Sequence, residues 1–506
     1  MTYPCQQAAF STASLAFGAP VVGALVKVRR RAAAALCTPL GVAVAMITLL
    51  TTAGLWSGLT RADLSSRAVL EPPGDYRAEV FHVSDCPQDP MGDRFVGIDN
   101  LFSLMGQRGL KFYRSNTVGL ISGPEGIIAS DDVVVVKINY QWGDRGGSNV
   151  DVLRGLIHRI VDHPDGFVGE VVVCENAQFV SIDFDRDNNN AQDHGMSPHD
   201  VVAYFQGLGH AVSHYNWTLR RTTLVDEYSD GDMTDGYVVY PHDSGISGCV
   251  SYPKFRTDYG TYISLRDGVW DSNSATYDRE SLKYINLPVL KSHGAVYGVT
   301  ACVKNYVGTA STALSTNTHN ATRYGLLGAL LAEIGPADLN ILDCIWINGD
   351  PERGPSTSYV AATRRDMLVA STDPVAADMY AATKILIPTF LENGHPPPWT
   401  NPNPDPADPD SDFRQYLDNS MSELLAAGYE VTNDLSQIDA FTWNGAGDFD
   451  GDSDLDLEDF NQFDWCETGP GGGPLDSVCA SGDFDADDDI DLIDLGRLQV
   501  SFTGAL

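Results

Sequence analysis

The sequence predicts an α/β fold, a mostly parallel or mixed sheet with helices on both faces, followed by a small all-α module at the C-terminus. Three observations carry this expectation. Val133–Ile138 (VVVVKI) is short, β-branched and nearly all apolar, the pattern of a central strand buried on both faces. Val150–Val161, with Val152, Leu153, Leu156, Ile157 and Ile160 at helical spacing, and a second apolar run, Val168–Cys174, follow closely. Strand, helix, strand at this spacing is a βαβ unit and implies parallel pairing. Finally, Asp448 to Asp494 holds 15 Asp and 2 Glu with no Lys or Arg, a change of composition that marks a separate region.

Residues 1–31 are irregular and end in Lys27, Arg29, Arg30 and Arg31; Ala32 to Leu59 then carries no charge. A basic cluster before an apolar stretch long enough to cross a bilayer reads as an export signal, cleaved, or a retained signal anchor. The expected location is therefore extracytoplasmic, with membrane contact only through residues 32–59. An α/β domain is expected over 62–443. Ser148 or Asn149 can cap the helix at Val150–Val161. Ser181–His194 is an Asp/Asn-rich stretch in which Asp183, Asp185 and Asp187 alternate without the rest of a metal loop, so a solvated loop is expected. Ser197–Leu208 reads as a capped helix and Val212 to Trp270 as several short strands. Ile285–Leu290 is an apolar run leading into Lys291, Ser292 and His293, then a glycine-punctuated turn and a helix carrying Lys304 and Asn305. Leu326–Ile334 is an apolar helix, Leu339–Ile347 a buried strand containing Asp343, and Met367–Ala370 a short strand. Thr372 or Asp373 caps a helix with Pro374 in its first turn and Asp378 one turn in. His395 to Pro409 is a Pro-rich surface loop, Phe413–Ala427 a helix, and a last strand ends near Trp443.

A net charge of −36 over 506 residues argues against nucleic-acid binding, which needs a basic surface. None of the nine cysteines forms a C-x-x-C, which argues against a zinc ribbon, a ferredoxin-type cluster or a thioredoxin-like motif. Cys466 and Cys479 flank a Gly/Pro loop; a disulfide there suits an oxidising compartment, and two unpaired thiols are the alternative.

Ligands in an open α/β sheet settle beyond the carboxyl ends of the strands. Lys137 with Asn139, Glu175 with Asn176, and Lys291 with His293 all follow apolar runs, so parallel neighbours would bring them to one crevice. Lysines there bind phosphate or carboxylate as point charges, and a histidine moves protons near neutral pH or ligates a metal.

Residues 285–308, INLPVLKSHGAVYGVTACVKNYVG, resemble the central motif of the DUF362 family, a domain of unknown function, whose consensus runs close to N-x-P-K-x-K-T-H-x-x-x-G-x-T-x-x-x-K-N-x-x-G. VVVVKINYQW, THNATRYGLLGALLAEIGPADLNILDCIWINGDPERGP, DMLVASTDPVAADMYAATKIL and AAGYEVTNDLSQIDAF are similar to flanking segments of that family, in the same order. Val289 stands where the family usually has lysine and Ser292 where it has threonine; residues 142–270 match poorly, and the ferredoxin-like cysteines of some relatives are missing. By motif position the resemblance implies Lys137, Asn139, Lys291, His293, Lys304, Asn305, His319, Asp343, Asp373 and Asp378 as site residues. It implies no established reaction.

In the acidic tail, 448–506, DFDGDSDLDLED and DFDADDDIDLID both place Asp at positions 1, 3, 5, 7, 9 and 12 of a twelve-residue loop. These are Asp448, Asp450, Asp452, Asp454, Asp456 and Asp459, then Asp483, Asp485, Asp487, Asp489, Asp491 and Asp494. Calcium takes six to eight oxygens from flexible loops, and this spacing supplies them. Leu455 and Ile490 would face a shared core with Phe460, Phe463, Leu495 and Leu498. Ser453 or Asp488 replaces the usual glycine, and Asp the terminal Glu, so the pair resembles type I dockerin repeats. That resemblance implies calcium as cofactor and a cohesin-like or surface partner, often in polysaccharide-handling systems.

Three functions follow as expectations: an exported enzyme acting on a small anionic substrate, with Lys291 and Lys304 as clamps and His293 as acid/base; a non-catalytic binding or scaffold protein attached through its tail; or a metal-dependent redox protein using His293, His319 and nearby carboxylates.

Overall fold

The computed structural model describes residues 69–84, 86, 95–178, 184, 195–242, 248–294, 297–400, 402–443, 447, 457–473, 475, 479, 482–483 and 489–501. The N-terminal regions 1–31 and 32–59 and the loop carboxylates Asp183, Asp185 and Asp187 lie outside the described residues. Among the described residues no helix is long and apolar enough to cross a membrane.

In chain order the strands are β1 (Ala78–Val83), β2 (Val133–Ile138), β3 (Glu170–Glu175), β4 (Val212–Asn216), β5 (Gly236–His242), β6 (Gly248–Arg256), β7 (Tyr262–Ser264), β8 (Gly268–Asp271), β9 (Thr276–Asp278), β10 (Leu282–Leu287), β11 (Val289–His293), β12 (Gly298–Thr300), β13 (Leu339–Asn348), β14 (Ala362–Ser371) and β15 (Ile438–Trp443). The helices include α1 (Val96–Gln107), α2 (Val150–Val161), α3 (Pro198–Gly207), α4 (Cys302–Asn305), α5 (Leu326–Ile334), α6 (Pro374–Ala381), α7 (Asp412–Ala426), α8 (Leu457–Cys466) and α9 (Leu492–Ser501); two further short helices, Thr318–Ala321 with His319 and Ile387–Glu392, lie among them. The main sheet runs β15-β1-β14-β13-β10-β2-β3-β4, with β11 and β12 branching from β13. The pairs from β13 through β10, β2 and β3 to β4 are parallel, whereas β14 is antiparallel to both β13 and β1. The sheet is therefore open and mixed, as the sequence predicts. β5 to β9 form a second, antiparallel sheet of five strands.

β2 explains the layering. Val133 and Val135 join one core with α5, α6 and α7, while Val134 and Val136 join the opposite core with α1, α2 and α3. Side chains alternate along a strand, so an uninterrupted run of valines is what a sheet covered on both faces requires. Asn149 caps α2 by accepting from Asp151 N and Val152 N, and Ser197 makes a capping box with Asp200 on α3.

Some boundaries differ from those expected. β3 starts at Glu170, because the N–H groups of Val168 and Gly169 turn to Ser130 O and leave Val168 exposed. The apolar run before Lys291 is two strands, since Pro288 has no N–H to continue the ladder and β10 gives way to β11. β14 extends back to Ala362 because its half-exposed residues still pair with the outer half of β13. The helix carrying Lys304 and Asn305 is a single turn, α4, followed by a tighter turn, Tyr306–Gly308. β1 and α1 lie in a segment the sequence pattern left unassigned.

In the tail, Phe463, Cys466, Ile490 and Leu498 form a small core joined by Phe460, Leu475, Cys479 and Leu495, and Cys466 and Cys479 are linked by a disulfide. Leu455 lies outside the described residues.

Gly328 on α5 sits where an added Cβ would strike the Ser420 backbone of α7. Gly328→Ala is expected to lower stability by about 1–3 kcal/mol through forced separation of the two helices, read as a lower urea midpoint with unchanged secondary structure; an unchanged midpoint would mean the helices part freely.

Candidate functional site

Strand register brings a row of polar residues to one level of the sheet. Lys137 on β2 lies opposite Asn286 on β10, Asn286 opposite Asn340 on β13, and Asn340 opposite Ser371 on β14. All four are buried at 1% exposure or less. Buried polar groups persist only when hydrogen-bonded, and this row is linked throughout. Asn286 Nδ2 donates to Asn340 Oδ1 (2.9 Å), and Asn340 Nδ2 to Ser371 O (3.1 Å). Asn305 Nδ2, from α4, donates to Asn286 Oδ1 (2.8 Å).

Lys137 has three ammonium protons and three acceptors: Ile138 O (3.0 Å), Asn305 Oδ1 (2.9 Å) and Glu175 Oε2 (3.3 Å). The Glu175 carboxylate also accepts from Tyr140 N (2.8 Å) and Asn176 N (2.7 Å). Burial pushes the Lys137 ammonium down and the Glu175 carboxyl up, each opposed by the charge of the other. Gly308 is part of this arrangement. A Cβ there would lie 2.5 Å from Lys137 Nζ and collide with Glu175 Oε1.

The next lysine is held differently. Lys291 starts from β11, where pairing with β13 shifts register between Val289 and Lys291. Its Nζ donates to Asn139 Oδ1 (3.1 Å) and to Gly146 O, and Asn139 Nδ2 donates to Asn305 Oδ1 (3.1 Å). Lys304 Nζ lies 2.9 Å from His293 Nδ1, which also meets Thr300 Oγ1 at 2.8 Å. The His293 and His319 rings are 5.7 Å apart. Among the described residues neither Lys291 nor Lys304 forms an ion pair with a carboxylate, in contrast to Lys137. Burial pushes Lys291 down to about 7 and Lys304 well below the usual lysine range, the latter helped by the nearby charge of Lys291. Burial likewise lowers His293 and takes His319 to about 3, with Lys304 adding to both.

The three acids do other work. Asp343 accepts from Asn149 N (2.7 Å) and Ile345 N (3.0 Å), so it ties the cap of α2 to β13. Asp378 accepts from Cys302 N (2.6 Å) and Val303 N (3.1 Å) and anchors the start of α4. Asp373 caps α6 through Val375 N (2.8 Å) and Ala376 N (3.0 Å) and also holds Thr432 N (2.8 Å). Burial raises all three to about 7 against these hydrogen bonds.

Of the residues named from the sequence, Lys137, Asn139, Lys291 and Asn305 form one hydrogen-bonded chain, and His293, Lys304 and His319 a second cluster. Asp343 acts on Lys291 through its charge, while Asp373 and Asp378 hold backbone. Asn286, Asn340, Gly146 and Thr300 were not singled out, although Asn286 and Thr300 stand inside the central motif; Asn340 and Gly146 carry no local signal. Glu175 was visible as a polar strand end.

A family model for a domain of unknown function (DUF362) matches residues 275–383. The match spans β9 through α6, so it holds Lys291, His293, Lys304, Asn305, His319, Asp343, Asp373 and Asp378; Lys137 and Asn139 lie outside it. The matched residues thus include both lysines of the cluster that have no carboxylate partner. No curated protein and no solved structure matches the chain.

In the tail, Asp489, Asp491 and Asp494 each bring a carboxylate oxygen within 4.8 Å of the others. Calcium–oxygen distances of about 2.3–2.6 Å let one ion span such a group. Asp459 and Asp483 are described but are not members of that group of three, and Asp448, Asp450, Asp452, Asp454, Asp456, Asp485 and Asp487 lie outside the described residues.

Removing the charge of Glu175 leaves a buried ammonium unpaired. Glu175→Gln is expected to cost about 3–5 kcal/mol of stability near neutral pH, and the Lys137→Met, Glu175→Leu double variant much less. Urea unfolding of Lys137→Met, Glu175→Leu and the double variant gives the coupling; additive losses would contradict it.

Proposed function

We propose that the α/β body binds a small anionic substrate at Lys291 and Lys304, with His293 as a hydrogen-bond donor to it. One observation carries the reading: two buried lysines lack the carboxylate partner that Lys137 has. An isolated buried ammonium is costly, so each sheds its proton or takes up an anion. A phosphate, sulfate or carboxylate group supplies the missing charge.

His293 supports this anion-binding reading over the metal-dependent one. Its Nδ1 meets Lys304 and Thr300, and once a bound anion holds Lys304 as an ammonium, that group can only donate. The imidazole proton then sits on Nε2, which serves as a hydrogen-bond donor to the anion. A metal ligated at Nε2 would need that proton moved to Nδ1, against Lys304.

The pH dependence has a defined sign. Lys291 is pushed to about 7 in the folded chain, against about 10.4 unfolded. Between these values the unfolded chain holds more protons, so this group makes stability rise with pH from about 7 to about 10. Lys291→Met removes that slope, and its stability relative to wild type is expected to fall steadily across the same range. Anion binding is expected to take up protons and to weaken as pH rises above about 7. Sulfate, a dianion throughout, is the probe: calorimetry in buffers of different ionisation enthalpy reads proton uptake, and Lys291→Met or Lys304→Met is expected to weaken binding ~10-fold or more. Sulfate binding that is independent of pH and of both lysines would remove the proposal. Binding without turnover of any anionic ester or acid would leave a ligand-binding protein.

For the tail we propose calcium-dependent attachment to a partner, supported by the convergence of Asp489, Asp491 and Asp494. The Cys466–Cys479 disulfide supports an extracytoplasmic location. Calcium titration followed by calorimetry and circular dichroism is expected to show binding and ordering of 448–506 by millimolar concentrations, reduced by Asp489→Ala with Asp494→Ala. A titration flat to millimolar calcium would exclude this role.

A further inference from the structure

The segment joining β13 to β14, residues 349–361, crosses the same ground as Lys291. At one end, Ser292 Oγ lies 2.6 Å from Asp350 O and 2.7 Å from Arg353 O, so one hydroxyl proton is shared between two carbonyls. Gly294 N donates to Arg353 O (2.9 Å) beside it. At the other end, Arg145 N donates to Thr357 O (2.9 Å), and Asn348 Nδ2 to Thr357 Oγ1 (3.2 Å). Between these ties the segment lies against Gly146, where an added Cβ would meet Pro355 O at 3.2 Å. Gly146 is the residue whose carbonyl receives the Lys291 ammonium. Lys291 itself is only 1% exposed.

The attachment combines these polar ties with two buried prolines and with the Arg145 guanidinium over the Tyr359 ring (5.0 Å). Pro351, Pro355 and Thr357 are tucked in, but the largest apolar side chains, Tyr359 and Val360, face solvent, with Val360 at 98%. Connections whose largest apolar side chains stay outside the core open more readily than the strands they join.

We propose that residues 349–361 form a strap that opens to admit a ligand to Lys291, and that Ser292 is the positioning residue that clasps it shut. The purpose of the strap rests on the anion-site reading; the opening itself does not. It also gives Ser292, which lies between Lys291 and His293 and contacts neither cluster through its hydroxyl, a role that a hydroxyl-bearing residue alone can fill.

The test is lysine accessibility in the full chain, read residue by residue. Reductive methylation with formaldehyde and cyanoborohydride, followed by mass spectrometry, compares Lys291 with Lys137, which the Glu175 pair keeps buried independently of the strap. Ser292→Ala is expected to raise the Lys291 labelling rate about fivefold, the scale of one net hydrogen bond, with Lys137 unchanged. Ser292→Thr is expected to retain the wild-type rate, and Thr357→Val, which loosens the far end, to raise it. No increase at Lys291 in either loosening variant, or an equal rise at Lys137, overturns the strap. Adding sulfate to Ser292→Ala separates the two ideas: faster labelling without sulfate protection keeps the strap and removes the anion site.

Discussion

The buried Lys137–Glu175 pair sets the terms for everything near it. With exposures of 1% and 2%, neither charge can rely on water, and a buried pair is tolerable only when its remaining protons and lone pairs are satisfied. That requirement reaches into four elements. It brings the carboxamide of Asn305 to Lys137, and so fixes the orientation of α4. It turns the backbone N–H groups of Tyr140 and Asn176 back onto Glu175, which sets how the chain leaves β2 and β3. It also leaves no space for a side chain at residue 308.

Orientation then passes outward along amides. Asn305 Oδ1 receives Lys137 and Asn139, which compels its Nδ2 toward Asn286; Asn139 in turn is left with its oxygen toward Lys291. Each asparagine offers one acceptor oxygen and one donor nitrogen, so the direction of one carboxamide decides the next. The satisfied lysine thereby presents the unsatisfied one. Lys291 and Lys304 receive only neutral hydrogen-bond partners from the protein, and within this cluster that sets them apart from Lys137. Asp378 holds the first N–H groups of α4 and keeps Lys304 in register with His293 without approaching either side chain.

The parts of the fold that were legible from sequence are those whose burial is uniform along the element. The valines of β2, the spaced apolar residues of α2 and the Leu-rich α5 declare themselves because every core-facing position is apolar. β14 was cut short for the opposite reason: Thr363, Arg364, Arg365 and Asp366 look like loop, yet antiparallel pairing with β13 needs only their backbone. The site was legible where a motif concentrates it, at Lys291, His293, Lys304 and Asn305. Asn340 was not, since a single asparagine inside an apolar strand acquires meaning only when Asn286 is placed opposite by register. Asp373 and Asp378 were legible as residues and misleading as chemistry, because an acid at a helix start serves backbone N–H groups as readily as a substrate.

Net charge gives the last constraint. Of the −36 on the chain, −17 belongs to residues 448–494, leaving −19 on the rest. Such a molecule repels small anions at long range, although at physiological ionic strength that field fades beyond about 8 Å. Long-range steering therefore cannot be what would draw the proposed anion to Lys291 and Lys304. The attraction has to come from within the site, where low dielectric strengthens a short-range contact and water has already been excluded. The same burial that depresses the two lysines makes an incoming negative charge count for more. A closed site in an acidic protein and an unpaired lysine inside it are thus two sides of one electrostatic arrangement.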